Sequence, residues 1–317
     1  MMVRTILTQC TTAAVILAGI GLSSATGQGL GGEWGPTSLW SKPISNPVYT
    51  DLATIKREVN VIYIYQTLPK HLDTAAGDVA LDGDMNAVAV QFELPLTPQL
   101  SLVGNKTGYV DFNPDRNLRK QEGYADIGGG LKWAFWQTET YAAALRGTFE
   151  FSTGDEAVFQ GNGRGNLSPA LLVSSVSGDC RVNGVLGAIV PLDEDRESTV
   201  GYLSLGCAYR WTDMLSSHVE IKYFRVLEEG DGDADFDHQP AGISAILENE
   251  GGDLINFGAA RAEKHPDFVS AAIGGRCQFT ENISLGVGLE FPLTHEQLGL
   301  MDELITASRL AAAEGRM

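Results

Sequence analysis

Basic residues are scarce in this chain: 22 Lys and Arg stand against 40 Asp and Glu, for a formal charge of −18. That balance argues against nucleic acid as a partner and against docking on an anionic membrane surface. Long apolar runs are missing as well. Beyond the N-terminus no stretch approaches the roughly 20 apolar residues of a spanning helix, so any later membrane crossing must be made by strands. Histidine is sparse and scattered, at His71, His218, His238, His265 and His295. No two share a strand at metal-ligand spacing, and no Ser or Cys carries a recognisable nucleophile motif. Nothing here implies a cofactor, and the expectation is that the chain is not an enzyme.

What is present begins with an export signal. Arg4 supplies a positive start, Thr12 to Leu22 an apolar stretch, and Ser23-Ser24-Ala25-Thr26-Gly27 small residues for cleavage between about Ala25 and Gln28. Residues 1–27 are read as a signal peptide. Cys10 precedes the apolar stretch and is therefore not a lipoprotein cysteine. Residues 28–57, rich in Gly, Pro and Ser, form either a periplasmic lead-in or a plug threaded into the lumen of the region from residue 58 onward.

From residue 58 the chain alternates. Short polar turns recur at 95–98, 137–140, 177–179, 212–213 and 280–282, each joining two runs of period-2 hydrophobicity. Trp133, Trp136 and Trp211 flank two of these turns. Strands are expected at 58–67, 85–94, 99–112, 124–135, 140–151, 168–177, 180–190, 199–210, 215–226, 268–279, 283–292 and 301–311. Most are long enough to cross a hydrocarbon layer when tilted. Short turns alternate with longer, acidic connections. This is the pattern of an all-β, up-and-down antiparallel transmembrane β-barrel of about 12 strands, residues 58–311, followed by a tail at 312–317.

Alternation also assigns faces. Apolar positions such as Ile127, Leu131, Trp133 and Phe135 point one way. The other parity collects Glu93, Lys106, Asp126, Lys132, Arg146, Glu150, Arg181, Glu220, Lys222, Arg276 and Glu290. Twelve strands enclose a bore too wide for Val and Leu alone to fill, which places the apolar face outward and these charges in the lumen. Lys106 has the wrong parity for its strand. A bulge at Gly104-Asn105 would turn it inward; the alternative is that it snorkels to the headgroups. Mixed charge in the lumen reads either as a polar, selective path or as an ion-pair network that props the barrel and largely closes it.

On these features, including the turn Lys132-Trp133-Ala134-Phe135-Trp136-Gln137-Thr138-Glu139-Thr140, residues 58–292 resemble a bacterial outer-membrane β-barrel protein of the porin-like kind. The resemblance implies a Gram-negative-type outer membrane and contact with its lipid. It also implies insertion by the outer-membrane assembly machinery and passive diffusion of ions or small polar solutes. Non-conducting barrels acting through their loops are the alternative, and outer-membrane enzymes a more distant one. Such barrels usually end on an aromatic residue. This chain ends Ala311-Ala312-Ala313-Glu314-Gly315-Arg316-Met317, so 301–313 is either a degenerate last strand or a helix.

Two local features stand apart. Asp231, Asp233, Asp235 and Asp237 alternate like the start of a calcium loop, although Phe236 stands where such a loop needs Gly and Gly242 where it needs Glu. A solvated acidic loop is the plainer reading. Cys180 and Cys207 flank the connection 191–198 and share the outward parity. A regular hairpin sets them almost opposite, as a cross-strand disulfide or as two small apolar residues facing lipid. Cys277 has no evident partner.

Overall fold

The computed structural model describes residues 15–23, 42–46, 48–248, 256–262, 267–293 and 305–311; for 15–23 and 305–311 it describes the backbone alone. Residues 1–14 and 24–27 of the expected signal peptide, residues 28–41 and the expected tail 312–317 lie outside the described residues.

The wall is one sheet, antiparallel except at a single pairing. It begins with β1 (Val15–Ser23) and β2 (Glu58–Thr67); the short hairpin of β3 (His71–Leu72) and β4 (Val79–Ala80) that follows in the chain is a sheet of its own. Then come β5 (Gly83–Pro95), β6 (Leu100–Lys106), β7 (Gly108–Pro114), β8 (Gln121–Tyr124) and β9 (Ile127–Gln137). The second half holds β10 (Tyr141–Phe151), β11 (Asn166–Ser177), β12 (Cys180–Pro191), β13 (Thr199–Arg210) and β14 (Leu215–Glu228). It finishes with β15 (Asp267–Thr280), β16 (Ile283–Pro292) and β17 (Ile305–Ala311). From β9 to β16 each strand pairs with the next in sequence, the up-and-down order expected of short hairpins.

Two of the expected strands are broken rather than continuous. The 99–112 strand divides at Thr107 into β6 and β7, both of which pair with β5. Beside it, the 124–135 strand begins earlier and divides at Ala125-Asp126 into β8 and β9. The register between β6 and β9 slips between Gly104 and Lys106, which absorbs one residue and turns Lys106 to the interior. A Cβ at Gly104 would collide with the ring of Phe92, so the narrowest residue stands where the strand kinks. At the seam, β1 and β17 pair in parallel with each other, and both pair with β2 and β16. Residues 305–311 are therefore strand, not helix.

Burial is inverted relative to a water-soluble barrel. Leu131, Trp133, Leu145, Leu186, Leu205, Val219, Ile221 and Ile273 are all exposed on the outer surface, while Lys132, Arg146, Glu220 and Arg276 are buried within. Aromatic side chains gather at two levels. Trp136 stacks on Tyr141 and Tyr209 meets Trp211 edge-on beside the short turns. Tyr109 with Tyr124, and Phe149 with Phe151, form a second group toward the long connections. The sequence pattern showed only the first, because the second does not flank a short turn.

The long connections fold over their end of the barrel. Leu68, Leu72, Leu81, Phe112, Val158, Phe159, Phe236, Leu247 and Phe257 form one buried apolar cluster. Phe159 lies at its centre, with ring centroids 4.8 Å from both Phe236 and Phe257. Asp126 anchors this cap: its carboxylate accepts N–H bonds from Thr153 (2.8 Å), Gly154 (2.8 Å) and Gly161 (3.0 Å). Asp126→Asn would aim an amide donor at these donors, at a cost of about 1–3 kcal/mol. Faster proteolysis within 152–163 in the folded variant is the expected result.

Candidate functional site

Residues 42–46 and 48–57 run inside the barrel, and the inward charges of the wall hold them there. Glu220 on β14 accepts the N–H of Ile44 at 2.6 Å and that of Ser45 at 3.2 Å, and the Ser45 hydroxyl as well. Arg276 on β15 donates to the carbonyls of Pro43 (3.1 Å) and Lys42 (3.4 Å). Across the bore, Arg146 on β10 donates to the Val48 carbonyl at 2.7 Å, and Ser174 on β11 accepts the N–H of Ala53 at 3.1 Å. The segment thus touches strands around most of the circumference. Its backbone polar groups would otherwise be buried without partners, which is why the wall meets them with charged and hydroxyl side chains.

The densest group surrounds Lys132 on β9. Its ammonium lies 2.6 Å from Glu93, 3.2 Å from the Leu52 carbonyl and 3.4 Å from Asp51. Glu93 also accepts from Ser101 (2.7 Å) and from the N–H of Lys56 (3.1 Å). Arg146 approaches Asp51 at 3.4 Å from the other side. Burial opposes the charge on Asp51, but Lys132, Arg146 and the Leu52 N–H outweigh it and hold its carboxyl below the usual range. A depressed carboxyl stabilises above its unfolded pKa, near ~4 for Asp, and loses that contribution as pH falls further. Beside this group the ring of Tyr49 fits between Tyr202 and Phe224, with centroids 5.0 and 4.7 Å away.

Of the eleven charged side chains assigned to the lumen from sequence, ten are buried and Glu150 is half-buried, and they do different things. Glu93, Lys132, Arg146, Glu220 and Arg276 contact the threaded segment. Lys222 pairs with Glu290 at 2.7 Å and Lys106 with Glu150 at 2.7 Å. Asp126 braces the cap, and Arg181 is buried on β12. Asp51, Tyr49, Ser101, Ser174 and Tyr202 escaped sequence reasoning. Their partners lie far off in the chain, 121 residues for Ser174 and Ala53 and further still for Tyr49 and Phe224, a separation that no local period can report. The spaces beside the segment are small: one cavity of about 40 Å³ lined by Asp51, Glu58, Glu93 and Arg146, and another of about 30 Å³ lined by Val48, Ile62 and Val110. Each has room for a water molecule or two and not for a solute.

The four alternating aspartates are not drawn together. Asp231, Asp233, Asp235 and Asp237 are exposed, while Gly232, Ala234 and Phe236 between them are buried under the cap. Phe236 occupies the apolar cluster at the place where a calcium loop would turn on glycine. Among the described residues no three His, Cys, Asp or Glu side chains are placed to hold a metal ion. The cysteine geometry also differs from expectation. The register pairs Cys180 with Tyr209 and Cys207 with Val182, so the two thiols are diagonal neighbours rather than opposite. The hairpin is centred one residue beyond the sequence midpoint, which shifts the pairing by two. The sulfurs are nonetheless 3.4 Å apart, both cysteines being free.

No family model and no curated protein matches the chain. Among solved structures it is similar to the COG4313 outer membrane channel of Pseudomonas putida F1, at 11% identity and a TM-score of 0.48, over 94% of this chain and 91% of that one. A Pseudomonas aeruginosa FadL homologue is similar at 9% identity and a TM-score of 0.36, over 88% and 81%. OpdK of Pseudomonas aeruginosa, solved with vanillate, has 7% identity and a TM-score of 0.27, over 75% and 70%. At this level of similarity, the residues of this chain must carry the functional argument.

Proposed function

We propose that the chain is an outer-membrane channel whose resting bore is occupied by its own N-terminal segment. Small polar solutes or ions diffuse through when that segment withdraws. The observation that carries this is the way the segment is held: Glu220, Arg276, Arg146 and Lys132 each bond its main chain. Side chains of this kind can exchange the segment for water, and the bore they then line is polar and of mixed charge. Residues 1–27 act as the export signal, whose removal takes β1 out of the seam and leaves β17 between β2 and β16, and 42–46 and 48–57 belong to the plug. The outer surface supports membrane residence, since a continuous apolar exterior with aromatic groups at two levels suits a lipid bilayer and not water. Leu131, near the middle of β9, is 47% exposed on that surface. Leu131→Arg should cost about 2–4 kcal/mol of folding stability in lipid, measured by urea titration in vesicles. No loss would count against lipid contact there.

A second reading is a non-conducting barrel, favoured by the cap centred on Phe159. Conductance in a planar bilayer separates the two. The channel reading expects rare, small openings from the intact mature chain and frequent ones from a chain lacking residues 28–56. Silence from both, in protein shown to be inserted, would leave the structural barrel.

A further inference from the structure

We infer that Cys180 and Cys207 form a redox site on the outer face of the barrel, a reversible disulfide that staples β12 to β13. Their sulfurs stand 3.4 Å apart on adjacent strands, on the same outward parity as Val182 and Leu205. Cys180 is the first residue of β12 and comes directly after the tight turn at Gly178-Asp179. Cys207 lies three residues before the end of β13, next to the Tyr209–Trp211 pair. The site therefore belongs to the interfacial level at the short-turn end, within reach of the aqueous compartment on that side.

Diagonal neighbours in a sheet have Cα atoms roughly 7–8 Å apart, just beyond the usual disulfide span of about 4.4–6.8 Å. Bond formation must draw in the start of β12 against its pairing with Ser177 and Tyr209 and the bonds from Arg210 to Asp179. A bond closed against such a pull is more easily reduced than a relaxed one, so this staple is labile and not permanent. In the reaction a thiolate of the pair attacks a protein oxidant carrying an exchangeable disulfide, giving a mixed disulfide. The second thiol then displaces the oxidant. Two S–H bonds and the oxidant's S–S bond are broken, one S–S bond forms between the cysteines, and the oxidant leaves as its dithiol carrying the two electrons and the two protons. Cys277, on β15, is not part of the site.

The redox site rests on the export proposed for residues 1–27, because an oxidising compartment supplies the oxidant. The test uses the whole chain, expressed with its own N-terminus in a Gram-negative host, recovered from membranes and denatured in excess iodoacetamide without reductant. Trypsin releases Cys180 in peptide 165–181 and Cys207 in peptide 197–210, one cysteine in each. The expected result is a joined peptide two hydrogens lighter than the pair, separated by reductant, with Cys277 alkylated. Cys207→Ser should abolish the joined species, and Cys277→Ser should leave it unchanged. If the chain does not reach the membrane, the export reading fails alone. The redox site is then tested by incubating the refolded barrel with oxidised glutathione, where formation of the 180–207 link supports it. Complete alkylation of both cysteines, in membrane-inserted protein and again after oxidised glutathione, would overturn it.

Discussion

Deleting residues 28–56 behind the intact export signal should convert a nearly silent barrel into a conducting one, with open probability rising by an order of magnitude or more. The deletion removes Ile44, Ser45, Val48 and Asp51 from a bore that the wall otherwise leaves polar. The wall side chains named above that lose a hydrogen-bond partner are charged or hydroxylic and are rehydrated in an opened bore, while Phe224 loses its ring contact with Tyr49, so the barrel should survive the loss. The small cavities now flanking the segment would merge into one aqueous path. With the bore open, Arg146→Ala and Arg181→Ala should shift the reversal potential under a salt gradient toward cation preference, since each removes an inward positive charge. An unchanged potential would show that these arginines do not line the path. A deletion that inserts, as judged by heat-modifiable migration, yet never conducts would refute the channel.

Lys132→Met is expected to be the most damaging single substitution in the wall. Lys132 is fully buried and sits between Glu93 and Asp51. Its loss leaves two carboxylates close together without their cation, and breaking a buried pair from one side costs about 3–5 kcal/mol. The double variant Lys132→Met with Glu93→Gln should recover a substantial part of that, because one of the two stranded charges is removed and the other, Asp51, still faces Arg146. Unfolding by urea in lipid vesicles measures both. If the single and double variants are equally unstable, Lys132 acts through packing and not through its charge.

Much of this architecture is written in the residue pattern, and the reason is local. Period-2 alternation and tight turns are properties of a dozen consecutive residues, so strands such as β2, β13 and β16 could be bounded from the sequence to the residue. The inward parity of the eleven charges came from the same period, including Lys106 once a bulge at Gly104-Asn105 is allowed. What each charge does was not legible. Lys132 and Asp126 share a parity within one expected strand, yet one holds the threaded segment and the other the cap. Likewise Phe236 reads as an interruption in an acidic loop until the loops fold together and bury it against Phe159 and Phe257.

The sequence by itself determined an inside-out antiparallel barrel, with apolar side chains outward and mixed charge within, because alternation sets faces wherever strands pair. Only the tertiary structure decided what fills the bore. The bonds from Glu220 to Ile44 and Ser45 span 176 and 175 residues, and a segment of Gly, Pro and Ser carries no period that could announce such partners. The offset between Cys180 and Cys207 was settled in the same way. A hairpin's centre depends on how its loop packs, and a shift of one residue there moves a directly opposed pair to a diagonal one.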